Sequence, residues 1–311
     1  MASQSFNLDT DIPDLAGKVI FVTGGTAGLG AATVQNLARH NPAHIYLSGR
    51  NAASAESVIK QIQEAGSSAK LTFVKCDLAS LSSVKAAADN ILAKESRLDI
   101  LICNAGIMAT PPGMTADGYE VQFGTNHLGH ALLIHKFLPL LMGVNSDGSA
   151  EERSAGRLVI LSSDGYRLHP RAGINFDTLK TTQDCGFGSS WIRYGQSKLA
   201  NILYARELAR RYPSLMAVSI HPGVIGTGLV DSLSWAKRTF VYATTVGTMV
   251  SLEEGVKNSL WAATVDQKAL VSGAFYKPVG HLWEKLGATA LDDALSGKLW
   301  DWTEEALSDF L

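Results

Sequence analysis

The apolar, β-branched run Lys18-Val19-Ile20-Phe21-Val22-Thr23 passes directly into Gly24-Gly25-Thr26-Ala27-Gly28-Leu29-Gly30, and a helical pattern follows from Ala31 to Arg39. A short run with no polar alternation is the mark of a strand covered on both faces, as in a parallel sheet. Further strand candidates are His44 to Ser48, Leu71 to Lys75, Asp99 to Cys103, Leu158 to Leu161, Ala217 to Ile220 and Gly273 to Tyr276. Helical stretches lie between them, notably Ser54 to Ala65, Leu81 to Lys94, Tyr119 to Met142 and Trp191 to Arg211. Alternation this regular predicts an α/β fold, a doubly wound parallel sheet of about seven strands with helices on both faces.

No internal repeat, low-complexity tract or linker breaks the 311 residues, so one domain is expected across 1–311. Within it, residues 1–15 read as a polar N-terminal arm, 224–252 as a substrate lid and 281–311 as a C-terminal extension. The stretch from Asp164 to Ser190 also interrupts the alternation, and long irregular segments in a compact domain tend to be functional. With 46% hydrophobic and 18% charged residues, the chain can bury a large core. A formal net charge of −2 gives no reason to expect nucleic acid or an anionic membrane as partner. The first ten residues lack a basic flank and an apolar run, and no apolar stretch is long enough to span a bilayer. Cys76, Cys103 and Cys185 are few, odd in number and widely spaced, as expected of reduced thiols. A cytoplasmic protein without a membrane anchor is the expectation.

Gly24, Gly28 and Gly30 fall where the first strand turns into a helix. A pyrophosphate can approach such a turn because no Cβ obstructs it, and the helix N-terminus offers free N–H groups and partial positive charge. The spacing Gly-x-x-x-Gly-x-Gly differs from the commoner Gly-x-Gly-x-x-Gly, and an ordinary glycine-rich turn is the alternative. The second strand ends in Ser48-Gly49-Arg50-Asn51, without the carboxylate that would bind an adenosine ribose 2′-hydroxyl. Arg50 offers a guanidinium fork that suits a 2′-phosphate, with Ser48 and Asn51 as extra hydrogen-bonding groups. NADP(H) is therefore the expected cofactor; a solvated surface arginine is the alternative.

Tyr194 and Lys198 are four apart in Trp191-Ile192-Arg193-Tyr194-Gly195-Gln196-Ser197-Lys198, which reads as helix despite Gly195. At that spacing both side chains leave one face, a turn apart. An ammonium beside a phenol favours the phenolate, so the pair can act as a general acid toward a carbonyl oxygen or as a base in reverse.

Taken together these motifs resemble the short-chain dehydrogenase/reductase family over nearly the whole chain. Thr23 to Gly30 is similar to its cofactor loop, Asp77-Leu78 to its adenine contact, and Asn104-Ala105-Gly106 to its motif after the fourth strand. Asn126, Ser163, Tyr194 and Lys198 resemble the catalytic tetrad, and His221-Pro222-Gly223-Val224-Ile225-Gly226-Thr227 the loop that contacts nicotinamide. The resemblance implies a single Rossmann-type domain with Gly24, Thr26, Gly28, Leu29, Gly30, Arg50, Asn51, Asp77, Leu78, Asn104, Ala105, Gly106, Tyr194, Lys198, Pro222, Gly223, Val224 and Thr227 at the cofactor. It implies that Tyr194 transfers the proton and Ser163 hydrogen-bonds the substrate oxygen. Lys198 would bind the nicotinamide ribose and depress the Tyr194 pKa, and Asn126 would hold a relay water. Asn126 to His130, Ser197 to Asn201 and Ser272 to Tyr276 look most like the retinol-dehydrogenase-like branch.

What the resemblance implies is an NADP(H)-dependent oxidoreductase interconverting a ketone or aldehyde with an alcohol on a bulky apolar small molecule. Tailoring of a secondary metabolite is one setting for it. Reduction of a C=C or C=N bond, an isomerisation or a cyclisation are alternatives on the same fold, as is a non-catalytic NADP(H) sensor. The family often dimerises through the helices carrying Asn126 and Tyr194, and monomer and homodimer both stay open here. His127, His130 and His135 share one helix, but no carboxylate or thiol completes a ligand set, so packing or surface roles and no metal are expected. His221 shapes its loop, and Cys185 carries no motif. Trp235 and Tyr242 are candidates for substrate contact, and Trp283, Trp300 and Trp302 for docking on the core or a partner.

Overall fold

The structure is a computed structural model and describes residues 5–144, 155–184, 186–225 and 249–311. Its strands are β1 (Val19–Val22), β2 (His44–Gly49), β3 (Lys70–Lys75), β4 (Ile100–Cys103), β5 (Arg157–Leu161), β6 (Met216–Ile220), β7 (Val224–Ile225), β8 (Met249–Val250), β9 (Phe275–Lys277) and β10 (His281–Leu282). The helices are α1 (Gly28–Ala38), α2 (Ala52–Glu64), α3 (Leu81–Leu92), α4 (Val121–Phe123), α5 (Gly129–Met142), α6 (Ser189–Arg211), α7 (Leu252–Thr264) and α8 (Asp293–Leu307). A π-helical turn, Gly124–Leu128, joins α4 to α5.

The main sheet has eight strands in the order β10-β9-β6-β5-β4-β1-β2-β3. Every pairing in it is parallel except β10 on β9, an antiparallel edge strand added to the seven read from sequence. The period of two along each strand divides the apolar side chains between two cores. Ile20, Val22, Ile100, Ile102, Val159 and Leu161 face α1, α2 and α7, whereas Phe21, Leu101, Cys103, Leu158 and Ile160 face α3, α5, α6 and α8. Each large side chain so enclosed contributes about 1.5–3 kcal/mol, which is why these strands carry no polar alternation.

The arm is less polar in its packing than in its composition: Phe6, Ile12 and Leu15 are buried in the core beneath α1. At the other end, Trp300 in α8 stacks on Tyr204 of α6, with ring centres 5.2 Å apart. Trp302 meets Tyr119 and Phe123 edge-on, and Trp283 packs partly buried against the same core. Between β5 and α6 the chain forms 3₁₀ turns at Asp164–Leu168 and Phe176–Thr178.

The strand order reverses between β1 and β4. The chain leaves β1 for β2 and β3 on one side, then returns to lay β4 on the other. Connections after β1 and β4 therefore diverge and leave a crevice at the carboxyl edge of the sheet, where α/β proteins bind ligands.

Candidate active site

The tetrad converges because α6 lies unusually close to the end of β5. A Cβ on Gly195 would stand 2.6 Å from the Leu168 carbonyl carbon and 2.7 Å from the His169 nitrogen. The helix continues through a poor helix former there because only glycine lets it settle against the turn that follows Ser163. That approach is then fastened by hydrogen bonds. Lys198 Nζ and Asn201 Nδ2 each donate to the Leu161 carbonyl at 3.0 Å, and Ser162 Oγ donates to the Lys198 carbonyl at 2.7 Å. Ser163 is hydrogen-bonded to Tyr194, and its Oγ also accepts from the Gly165 N–H at 3.1 Å.

Asn126 sits within the π-helical turn, a widening of the helix frequently found at functional sites. Its amide is fully engaged: Nδ2 donates to the Ile107 carbonyl and to Ser197 Oγ, both at 2.9 Å, and Oδ1 accepts from the Ile107 N–H at 2.8 Å. Asn126 Oδ1 and Lys198 Nζ both face Gly106, where an added Cβ would lie 3.2 and 3.4 Å from them. A histidine expected only to pack or face solvent joins this network. His130 pairs with the Asn126 carbonyl through Nδ1 at 3.0 Å and with Thr23 Oγ1 through Nε2 at 2.9 Å, linking the tetrad to the loop after β1. His127 pairs with Thr303, and His135 with Glu304. No cluster able to hold a metal occurs among the described residues.

Burial dominates the electrostatics. It lowers Lys198 to about 8 and, with smaller contributions from neighbours, His130 to about 4 and His127 to about 3, so both imidazoles are neutral at pH 7. It also raises Tyr194, a shift that the hydrogen bond from Ser163 opposes. The depression of the phenol by Lys198 expected from their spacing is thus not seen in the protein alone. The ammonium lies 5.8 Å from the Tyr194 ring centre and points to the Leu161 carbonyl, while the phenol is enclosed.

Among the described residues, the candidate cofactor residues fall along the carboxyl edge. Gly24 and Thr26 lie in the turn after β1, and Gly28, Leu29 and Gly30 open α1; Arg50 and Asn51 follow β2, Asp77 and Leu78 follow β3, and Asn104, Ala105 and Gly106 follow β4. Pro222, Gly223 and Val224 follow β6, beside Tyr194 and Lys198 on α6. Thr227, Cys185, Trp235 and Tyr242 lie outside the described residues, as does the interior of 224–252, whose ends pair as β7 and β8.

The turn after β1 fits a dinucleotide phosphate. A Cβ on Gly30 would overlap the Gly24 carbonyl oxygen, so the loop folds flat over the start of α1. Side chains cap α2, α3, α7 and α8 at Asn51, Ser80, Ser251 and Asp292, but Ala27 leaves the first N–H groups of α1 uncapped. Those donors and the helix dipole are suited to an anion. Asn104 acts on this loop rather than in it, since its Nδ2 donates to the Thr23 carbonyl at 2.8 Å. Asn51 accepts from the Ser54 N–H, while Arg50 is exposed and makes no ion pair with a described residue.

No motif singles out a charged group next to Ser163. Lys277 Nζ donates to Asp164 Oδ2 at 2.6 Å and stands 3.7 Å from the centre of the Trp283 ring, and His221 Nε2 lies 3.9 Å from the same carboxylate. Burial lowers His221 to about 4 against the pull of Asp164. The partners are 113 residues apart, so sequence periodicity carries no trace of them.

Fold and site together define an oxidoreductase that works with a nicotinamide dinucleotide on a small molecule. A family model for short chain dehydrogenase matches residues 18–174. The chain is 37% identical over 308 residues to the short-chain dehydrogenase/reductase drtF of Aspergillus calidoustus, covering 95% of each chain. It is 33% identical to human (Homo sapiens) retinol dehydrogenase 11 over 295 residues, 94% of this chain and 86% of that one. Among solved structures, a protein from Mycobacterium Paratuberculosis matches with a TM-score of 0.74 and 29% identity over 98% of both chains. The chain belongs to the short-chain dehydrogenase/reductase family, in its retinol-dehydrogenase-like branch. No helix among the described residues is long and apolar enough to cross a membrane.

Proposed function

We propose that the protein is an NADP(H)-dependent oxidoreductase that interconverts a ketone or aldehyde and the corresponding alcohol on a bulky apolar small molecule. The observation that carries this reading is the buried Tyr194 phenol, hydrogen-bonded to Ser163 and standing over Lys198 at the edge where β1 and β4 diverge. When bound, the nicotinamide supplies or accepts the hydride. The chain supplies placement and protons. Ser163 and Tyr194 hydroxyls converge on one oxygen, and a carbonyl gaining alkoxide character there is stabilised by donors already in position. Tyr194 gives that oxygen its proton in reduction and removes it in oxidation. Lys198, within reach of Asn126 and Gly106, is placed to hold a ribose hydroxyl and to return the proton. A chain that only sensed the dinucleotide would have no use for all four groups meeting at one edge.

Arg50 supports the choice of phosphate. It is exposed at the end of β2, no carboxylate stands beside it in Ser48-Gly49-Arg50-Asn51, and a guanidinium fork matches a 2′-phosphate. The apolar substrate side is supported by Met108, Trp191 and Val224, which pack around Ala109, with the Trp191 ring edge-on to Tyr194 at 6.5 Å. Titration of the purified protein with NADPH and NADH, followed by nicotinamide fluorescence, tests the cofactor assignment. Preferential NADPH binding is expected; equal affinities would remove the 2′-phosphate argument, and absence of binding to both would remove the enzyme assignment.

A further inference from the structure

Arg193, the residue before Tyr194, is the largest fully enclosed side chain among the described residues, and its partner Glu120 is equally inaccessible, at 1% and 0% exposure. Arg193 Nε faces Glu120 Oε1 across 3.0 Å. The other guanidinium nitrogens donate to the Thr110 carbonyl at 2.9 Å, Ser189 Oγ at 3.0 Å and the Gln183 carbonyl at 3.2 Å. Glu120 in turn accepts from the Phe123 N–H at 2.7 Å and so caps α4, which runs through the π-helical turn to Asn126. Gln122 adds a bond from Nε2 to the Ser190 carbonyl at 2.9 Å. One side chain thereby joins four segments: the loop after β4, the helix of Asn126, the segment between Ser163 and Tyr194, and the first turn of α6.

Stability does not explain such a pair. Removing two charges from water costs about as much as their attraction returns, and packed apolar residues of the same volume hold a core as well or better. What a guanidinium adds is a planar set of donors with fixed directions. Three of its contacts are to backbone carbonyls or a short hydroxyl, so it locates the chain itself rather than neighbouring side chains. Among the described residues, its hydrogen bonds and ion pair go to Thr110, Gln183, Ser189 and Glu120 and to none of the candidate cofactor residues.

We propose that Arg193 is a positioning residue for catalysis: its buried pair with Glu120 fixes the opening turns of α6 against the Asn126 helix and the Thr110 and Gln183 loops, and so sets where the Tyr194 hydroxyl meets the substrate oxygen. The proposal rests on Tyr194 being the proton-transfer group. A displacement of about 1 Å at such a group can cost on the order of a hundredfold in rate, while cofactor affinity stays as it was.

The test compares Arg193→Lys, which keeps the charge but not the fork, with the double variant Arg193→Met, Glu120→Gln, which leaves no buried charge unpaired. NADPH titration counts competent sites. Turnover per site is then measured on the aromatic ketone that the wild-type protein reduces fastest from a panel, together with the primary isotope effect from 4-deuterated NADPH. Both variants are expected to bind NADPH within about twofold of wild type and to lose at least tenfold in kcat per site, well inside the cost of a misplaced group. The isotope effect is expected to rise as chemistry becomes slower than release, and Arg193→Lys to retain more activity than the double variant. Unchanged kcat per site and isotope effect would overturn the proposal, and so would loss of NADPH sites in the double variant, because the pair would then support the fold as a whole. Tyr194→Phe assayed in parallel separates the two readings: an active Tyr194→Phe sinks the proton-transfer assignment, whereas an inactive one beside fully active Arg193 variants sinks positioning alone.

Discussion

Lys198 Nζ lies 5.8 Å from the centre of the Tyr194 ring and spends a hydrogen bond on the Leu161 carbonyl at 3.0 Å. Two ionisable groups are thus enclosed together, each held toward its neutral form by burial. Because the Lys198 pKa falls from 10.5 to about 8 on folding, the unfolded chain carries more protons between those values, and the stability of the cofactor-free protein rises with pH across that window. Tyr194 acts in the opposite sense above its ordinary value of 10.0, where the folded chain keeps a proton that the unfolded chain has lost. Lys198→Met removes the buried charge and is expected to raise the free energy of unfolding at pH 7 by about 1–3 kcal/mol, with its rise between pH 8 and 10 abolished. Urea unfolding at several pH values measures both; a variant less stable than wild type at pH 7 would show that the lysine is held in place without strain.

Tyr194→Phe keeps the ring that packs against Gly165 and Trp191 but removes the hydroxyl bonded to Ser163. Turnover is expected to fall about a hundredfold or more with NADPH affinity preserved. Steady-state kinetics under conditions where hydride transfer limits the rate, checked with deuterated cofactor, decide this. Near-normal turnover would remove Tyr194 from the chemistry.

Direction of reaction should respond to pH through the same phenol. Carbonyl reduction needs it protonated, and burial extends the protonated range upward, so the fall in kcat/KM for reduction is expected at a higher pH than an ordinary phenol, with its value of 10.0, would give. Alcohol oxidation needs the phenolate and should gain with pH over the same range. Profiles measured in both directions on one substrate pair test the assignment, and a reduction limb falling near pH 7 would contradict it.

Arg50→Ala is expected to weaken NADPH by roughly 10–100-fold, the worth of one or two hydrogen bonds to a charged group, and NADH by little. Equal losses for the two cofactors would mean that the side chain touches something common to both, such as the adenine.

Much of this site was legible because it depends on short-range rules. The β1 run with Gly24, Gly28 and Gly30, and the four-residue step from Tyr194 to Lys198, are local patterns whose geometry follows from strand and helix periodicity. Gly195, which weakens a helix on propensity alone, becomes intelligible only once Leu168 and His169 are seen against it. Arg193 with Glu120 and Asp164 with Lys277 were not legible, since each pair joins distant segments and an arginine or aspartate looks the same in sequence whether solvated or enclosed. The arm was misjudged for a related reason: three apolar residues, Phe6, Ile12 and Leu15, are few enough to vanish in a polar average yet all three are buried. The pKa of Tyr194 depended on how far burial outweighs a neighbouring charge, a balance that spacing does not contain.

The tail bears on assembly. Resemblance to the family implies association through the helices that carry Asn126 and Tyr194, but α8 lies along α6 with Trp300 stacked on Tyr204, His135 paired with Glu304 and His127 with Thr303. Leu299, Trp300 and Leu307 are buried by this packing, each at a gain of about 1.5–3 kcal/mol. A second copy could use that face only by displacing α8, at a cost of several kcal/mol before any new contact formed. The intact chain is therefore expected to sediment at the mass of one chain at micromolar concentration. Removal of residues 293–311 exposes Tyr204 and the α5 and α6 surface around it, and self-association that deepens with protein concentration is expected. A stable dimer of the intact chain that survives Trp300→Ala would place the interface elsewhere and break the link between the tail and the oligomeric state.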